Sequence, residues 1–377
     1  MSSIALRGDF TQYSIYDASY IIKQGIGMHA FTASTTLMTQ AAPAINPLEA
    51  QQVLYTHYGL TGVLERLPGE RDTNFCLSCE SGQRFMVRFI NVAEADQEID
   101  FQTRMLVYLQ QRAAHLPVPG ILETLTGDCQ PQVEFSGQQG SLRVVSYLDG
   151  IPLYRQAPFT DLARQLGGIL GEMDATLAGF SHPGATRELL WDITHPQRLL
   201  DRVHTLDHLD WRREVAGVID QHTQRVLPLL DSLPWQVIHN DLNPHNVLVD
   251  ELGTRITGII DFGDALYAPR VNNLATALAY QLVDESDPLR RVGPFLNAYL
   301  AQQPLTDTEL SVLADLVATR LCLTLVIASW RAQLYPDNRD YILRNLPHAG
   351  RSLMRLRRLP DGWVEHLITS TTSGSHV

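Results

Sequence analysis

The sequence predicts an α+β protein of two lobes, a small antiparallel-sheet lobe followed by a larger, mostly helical one. Three observations carry this expectation. Strand-like runs cluster before Tyr147, helical spacing dominates after Gly150, and 377 residues suffice for two ordinary hydrophobic cores. Hydrophobic residues make up 45% and charged residues 19%, the balance of a globular chain rather than a disordered one.

Residues 1–37 are rich in Ser, Thr, Tyr and Gly without sustained periodicity, and a run more like the rest begins at Met38. They are expected to form an N-terminal extension, disordered or upstream of the true start, leaving 38–147 as the first lobe and 148–377 as the second. Apolar spacing predicts a short helix over 47–58. Residues 62–67, 74–79, 84–90, 132–135 and 142–147 read as strands between turn-forming clusters. Among them, 95–111 places Ile99, Leu106 and Leu109 on one face of an amphipathic helix. Antiparallel strands with one inserted helix make the small lobe. Further on, 162–180, 196–209, 212–230, 272–282, 293–302 and 308–334 carry helical spacing, interrupted by short β-like runs at 236–238, 247–249 and 256–260.

A formal net charge of −12 argues against a nucleic-acid binder, which needs a basic footprint, and fits a cationic or zwitterionic small substrate. The four cysteines make no disulfide framework. Cys76 and Cys79 form a lone C-x-x-C on a strand-like run, where residues three apart face opposite sides and the thiols do not converge on a metal. A reducing, cytoplasmic compartment is expected. No stretch of 18 apolar residues occurs and the N-terminus lacks a signal pattern, so no membrane span is expected.

The chemistry concentrates in residues 237–263. His239-Asn240-Asp241-Leu242-Asn243-Pro244-His245-Asn246 is an H-x-D-x-x-x-x-N run between apolar segments, and Asp261-Phe262-Gly263 follows shortly after. Phosphoryl transfer needs such a set. One carboxylate orients the attacking hydroxyl and takes its proton, while a second carboxylate and an amide hold the magnesium ions that bridge the phosphates. Asp241 is the candidate catalytic base. Asn246 and Asp261 are the candidate Mg2+ ligands, offering the hard oxygens that ion prefers. His239 belongs to the same catalytic motif and is expected to brace the loop by hydrogen bonding rather than to react.

These motifs resemble those of the aminoglycoside-phosphotransferase and choline-kinase superfamily, whose loop reads H-G-D-x-x-x-x-N. Residues 69–75 (Gly-Glu-Arg-Asp-Thr-Asn-Phe), 144–152, 258–267 and 333–341 (Gln-Leu-Tyr-Pro-Asp-Asn-Arg-Asp-Tyr) look more similar still to its hydroxylysine-kinase branch. The likeness runs from about residue 48 to about residue 355. It implies a bilobal, protein-kinase-like fold, ATP or GTP as phosphoryl donor, Mg2+ as cofactor and a small hydroxylated amine such as 5-hydroxylysine as acceptor. Aminoglycosides, homoserine, choline or a sugar stand as alternatives, whereas no A-P-E element after Asp261 points to a protein substrate. The same likeness lays the loop at 72–75 over the phosphates, with backbone N–H groups and the Asn74 amide as donors; an ordinary turn is the plainer alternative. It also assigns the Ser146-Tyr147-Leu148 linker to reading the base through main-chain groups.

Three positions depart from the family pattern. Arg88 stands where the third strand carries a Lys on the α- and β-phosphates, and a planar guanidinium is not equivalent to an ammonium. Gln102 aligns with the acidic helix partner of that Lys, leaving Glu98 as the acid able to take over, with Asp100 nearby. Asn240 replaces Gly. A nucleotide-binding pseudokinase is therefore the rival reading, and the intact Asp241, Asn246 and Asp261 stand against it. On the acceptor side, Arg320 lies on the apolar face of 308–334 and needs a charged partner. That partner is either an acceptor carboxylate or a structural acid such as Asp264. Trp191 and Asp192 wall an ammonium group, or are a core Trp and a capping Asp. Asp264 supports the metal loop or caps the following helix, and Tyr267 and Arg270 complete the candidates.

Overall fold

A computed structural model describes residues 42–69, 71–156, 160–282 and 287–372. The extension expected at 1–37 lies outside them. Asn46 opens the described fold by accepting a hydrogen bond from Glu49 N, which caps α1 (Pro47–Tyr58). The strands β1 (Val63–Leu67), β2 (Thr73–Ser78), β3 (Arg84–Phe89), β4 (Gln132–Phe135) and β5 (Gln138–Ser146) form an antiparallel sheet in the order β1-β2-β3-β5-β4. Between β3 and β4 the chain forms α2 (Asp96–Arg112). Strand alternation sets the two faces. Phe85, Val87 and Phe89 of β3 enter a core with Phe75, Leu77, Phe135, Leu142 and Leu54. Arg88 therefore points to the other face, opposite Arg143 of β5, and Arg143 donates there to groups of α2.

The second lobe is organised by α3 (Thr160–Leu177), α4 (Leu209–Arg225), α5 (Val271–Ala279), α6 (Val292–Gln302), α7 (Asp307–Leu334), α8 (Arg339–Ile342), α9 (Leu346–Leu356) and α10 (Trp363–Thr372). It also holds the short strands β6 (Ile151–Pro152), β7 (Trp235–Ile238), β8 (Val247–Val249), β9 (Ile256–Ile259) and β10 (Leu266–Pro269). β6, β8 and β9 form one antiparallel ribbon and β7 pairs with β10 in another. These ribbons pin both ends of the catalytic loop and of the segment that follows Ile259, so the motif residues sit between fixed strand ends.

α7 is the core helix of this lobe. A reciprocal capping box between Thr306 and Glu309 starts it, and Arg270 grips both Glu309 oxygens at 2.7 and 2.8 Å. It is long and apolar enough to cross a membrane by composition, but 83% of that stretch is buried inside the protein. α3 and α6 lie unusually close. A Cβ on Gly167 would meet Phe295 O at 2.1 Å, and one on Gly171 would meet Tyr299 O at 2.7 Å.

The expected elements recur with physical exceptions. Residues 196–205 wind as 3-10 turns rather than the predicted α-helix, entered at Pro196 without a side-chain cap. The helix predicted over 212–230 ends at Arg225 and continues as 3-10 turns, because Pro228 cannot extend an α-helix. All four cysteines are free, with Cys76 buried and Cys79 half-buried.

Candidate active site

β7 delivers the chain into His239, Asn240 and Asp241. Asn240 has a φ of 66°, in the left-handed region that Asn tolerates better than other side-chain-bearing residues. This explains how Asn stands where the family pattern has Gly. Its N–H donates to Asn273 Oδ1 at 2.9 Å. Asn273 Nδ2 in turn donates to Asp174 Oδ1 at 2.6 Å, and the Tyr299 hydroxyl donates to Asp174 Oδ2 at 2.8 Å. The catalytic loop is thus hung from α5, α3 and α6 together. His239 is fully buried. Its Nδ1 accepts from Asp241 N at 3.2 Å, its Nε2 faces Ile260 O at 3.3 Å, and its ring meets Phe262 edge-on. Burial pushes its pKa below the ordinary value, which keeps the ring neutral. It braces one motif against the other and does not face the cleft.

Asp241 is held from both sides. Its Oδ2 accepts from Asn246 Nδ2 at 2.8 Å and Asn243 Nδ2 at 2.9 Å, and its Oδ1 accepts from Arg320 Nη2 at 2.9 Å. Burial pushes the carboxyl pKa up, while the Arg320 charge and the two amides oppose that rise. Arg320 is 2% exposed and lies between the rings of Trp191 and Tyr280, at 4.9 and 5.9 Å. The acid that matches it is therefore Asp241, not Asp264. Trp191 is brought to the site through Arg320. Asp192 is not, since its Oδ1 accepts from Thr194 N at 2.8 Å and closes a local turn.

Asp261 is exposed and also left-handed, with a φ of 62°. Such strain gathers where surrounding structure dictates a side chain's aim. Ile260 N donates to Asn246 O at 2.9 Å and stitches the two motifs together. Asn246 spends its Nδ2 on Asp241, which leaves its amide oxygen for a ligand. The Asp264 carboxyl is pushed up to about 6, chiefly by burial and then by the Asp241 and Asp261 charges, with Arg71 and Arg187 opposing. Neighbouring carboxylates beside an amide oxygen with no hydrogen-bond partner among the described residues make a donor set that suits a hard divalent cation. Among the described residues no three His, Cys, Asp or Glu side chains form a ready-made cage.

On the sheet lobe the structure corrects several expectations. Arg88, with 27% of its side chain exposed, pairs with Asp72, whose other oxygen accepts from Asn91 N at 2.8 Å. Glu98 does not substitute as its partner. It pairs instead with Arg187 at 3.0 Å, and Arg187 also donates to the Gly263 and Ala265 carbonyls. Gln102 donates to Glu94 at 2.8 Å and accepts from the buried Arg143 at 3.1 Å. Burial and the facing Arg88 push Arg143 down to about 10. Asn74 is buried and turns its Nδ2 to Pro68 O at 3.4 Å, while its Oδ1 is buried without a partner among the described residues. The linker is also partly committed. Ser146 N donates to Gly120 O at 2.8 Å and Tyr147 N to Arg84 O at 3.0 Å, while Leu148 N–H has no such partner among the described residues. Tyr267 packs at a tilt against Trp235, ring centres 5.6 Å apart, on an exposed face outside the cluster, and Arg270 serves Glu309. Sequence reasoning missed Asp72, Arg143, Arg187 and Tyr280, whose roles depend on contacts far apart in the chain. Asn243 was within reach, since it sits inside the catalytic motif.

A carboxylate held by two amides on one oxygen and an arginine on the other, an adjacent hard-oxygen donor set and a sheet-borne arginine make an arrangement suited to phosphoryl transfer. Residues 63–310 match the model of the phosphotransferase enzyme family, and the chain belongs to that family. It is an enzyme, a kinase that phosphorylates hydroxyl groups. Hydroxylysine kinase of Danio rerio is 29% identical over 341 residues, covering 86% of this chain and 95% of that protein. Hydroxylysine kinase of Xenopus laevis is 25% identical over 348 residues, covering 86% and 93%. Among solved structures, a microcompartment-associated aminopropanol kinase superposes with a TM-score of 0.62 at 17% identity, covering 86% of this chain and 98% of that one. An amicoumacin kinase in complex with AMP-PNP and Ca2+ gives 0.55 at 16% identity, covering 93% and 96%. The structural likenesses establish the antiparallel-sheet and helical-lobe kinase fold.

Proposed function

We propose that this enzyme transfers the γ-phosphoryl group of ATP or GTP, with Mg2+, to the hydroxyl of a small amine-bearing acceptor, first of all an amino acid of the 5-hydroxylysine kind. The observation that carries the reading is the setting of Asp241. Three donors fix its carboxylate within one motif of Asn246 and beside the Asp261 loop, the placement a base needs beside a metal-bound phosphate. Asp241 orients the acceptor hydroxyl and takes its proton. The Asn246 amide oxygen and Asp261 hold Mg2+, which supplies charge stabilisation on the phosphates. Likeness to hydroxylysine kinases over 86% of the chain supports the acceptor class, and a net charge of −12 favours a cationic group on it. Four free thiols agree with a reducing cytoplasm.

The test is nucleoside diphosphate release with Mg-ATP and Mg-GTP against 5-hydroxylysine, homoserine, choline and kanamycin. Asp241→Asn is expected to lower acceptor-dependent turnover by about 10²- to 10⁴-fold while nucleotide binding persists. Equal turnover in that variant removes Asp241 as base. Release with another acceptor but none with 5-hydroxylysine removes the favoured substrate class.

A further inference from the structure

Arg344 is an arginine held in place with no acid to match it. Its guanidinium lies 3.7 Å from the centre of the Tyr341 ring, its Nη1 donates to Tyr341 O at 2.8 Å, and its Nε donates to His245 Nε2 at 3.3 Å. Among the described residues no Asp or Glu pairs with it, in a chain that carries 41 acidic residues. Among the described residues its Nη2 has no hydrogen-bond partner and its Nη1 has one, so donors are left over for a carboxylate. The side chain is exposed, but its ordering is already accomplished by the ring beneath it and the two hydrogen bonds.

The patch sits on the catalytic loop itself. His245 precedes Asn246, and its ring packs at 4.2 Å on Tyr154, whose N–H donates to Pro244 O at 3.1 Å. His245 N donates to Asn243 Oδ1 at 2.8 Å, and Asn243 Nδ2 donates to Asp241 Oδ2 at 2.9 Å. Two hydrogen bonds thus separate His245 from the base. The stretch 333–341, which the site described above leaves unused, folds as the end of α7, a 3-10 turn and the start of α8. That fold is what presents Tyr341, and Arg344 just beyond it, to His245. Arg320, the other arginine considered for an acceptor anion, is occupied by Asp241.

We infer that Arg344, set by His245 and flanked by Tyr154 and Tyr341, binds the carboxylate of an α-amino-acid acceptor. The inference rests on the proposed kinase reading and names the end of the acceptor that is recognised. The tyrosine rings line the path of the alkyl chain, and acceptors with no anion gain nothing at the arginine. Amino alcohols and aminoglycosides are thereby disfavoured relative to amino acids.

The full-length enzyme is assayed with 5-hydroxylysine and with 1,5-diaminopentan-2-ol, the same molecule without its carboxylate. In Arg344→Ala the ratio of kcat/KM for the two acceptors is expected to fall by roughly 10- to 100-fold, the loss of one charge-assisted pair. The loss falls on the KM for 5-hydroxylysine, and Arg344→Lys recovers part of it. A ratio within about twofold of wild type in Arg344→Ala overturns this inference alone. Wild-type enzyme that turns over neither acceptor overturns both the inference and the reading beneath it.

Discussion

Asp72 and Arg88 show how a single contact resets a site. The loop before β2 supplies the acid that the family pattern places on a helix, so the sheet-borne cation is held by its own lobe. Removing Asp72 leaves Arg88 facing Arg143 across β3 and β5 with Glu94 as the acid that still offsets part of the repulsion. Asp72→Ala is expected to destabilise the protein by about 1–3 kcal/mol and to weaken nucleotide binding, measured by urea denaturation and by nucleotide titration. Sequence reasoning singled out Asp241, Asn246 and Asp261 as candidates because they lie within two short motifs, and the structure brings them together. It placed Arg88 but not its partner, since the pairing of Asp72 with a residue 16 positions away depends on how the turn folds. Arg320 was legible as a buried charge in search of an acid. Which acid it finds depends on where a loop from β7 meets the middle of α7.

Elements with a strong period were legible, and those set by backbone chemistry less so. α2, α3 and α7 announce themselves by spacing, whereas β6 and β10, of two and four residues, exist only through partners in distant strands. The early end of α4 follows from Pro228, which a hydrophobic pattern does not register, whereas the 3-10 course of 196–205 has no proline beyond its first position to explain it. The close approach of α3 and α6 belongs to this scale as well. Gly171→Ala drives a methyl group against the Tyr299 carbonyl, and backbone cannot give way as a flexible side chain does. The expected cost is about 1–3 kcal/mol in urea denaturation. Turnover should fall further than stability alone explains, because Tyr299 is one of the groups from which the catalytic loop hangs.

At the scale of the molecule, a sheet core and a helical core meet around α2, whose Phe101, Met105 and Leu109 join the larger cluster. Asp174 is a fully buried acid beside that larger core, and burial pushes its pKa up to about 7. A carboxyl raised in the folded state binds more protons there than when unfolded. Its stabilising contribution is complete below the ordinary value of 3.8 and is lost as pH rises through about 7. Buried His222, lowered to about 4, acts in the opposite sense across much of the same range, because it must charge on unfolding. The wild-type slope therefore mixes the two, and a comparison separates them. Asp174→Asn should gain stability relative to wild type as pH climbs from about 4 to about 7, read from urea midpoints across that interval. Sequence patterning indicated helices here, but not that one of them would bury an acid beneath the active site.

Both oxygens of Asp241 are engaged at rest, one by Arg320 and the other by Asn243 and Asn246. As the proposed base, a carboxylate so occupied has little hold on a stray water molecule, while an acceptor anchored elsewhere would bring its hydroxyl to compete for it. The contacts that aim the base thus also act as a safety catch. On the proposed function, nucleotide that arrives before its acceptor would be kept rather than hydrolysed.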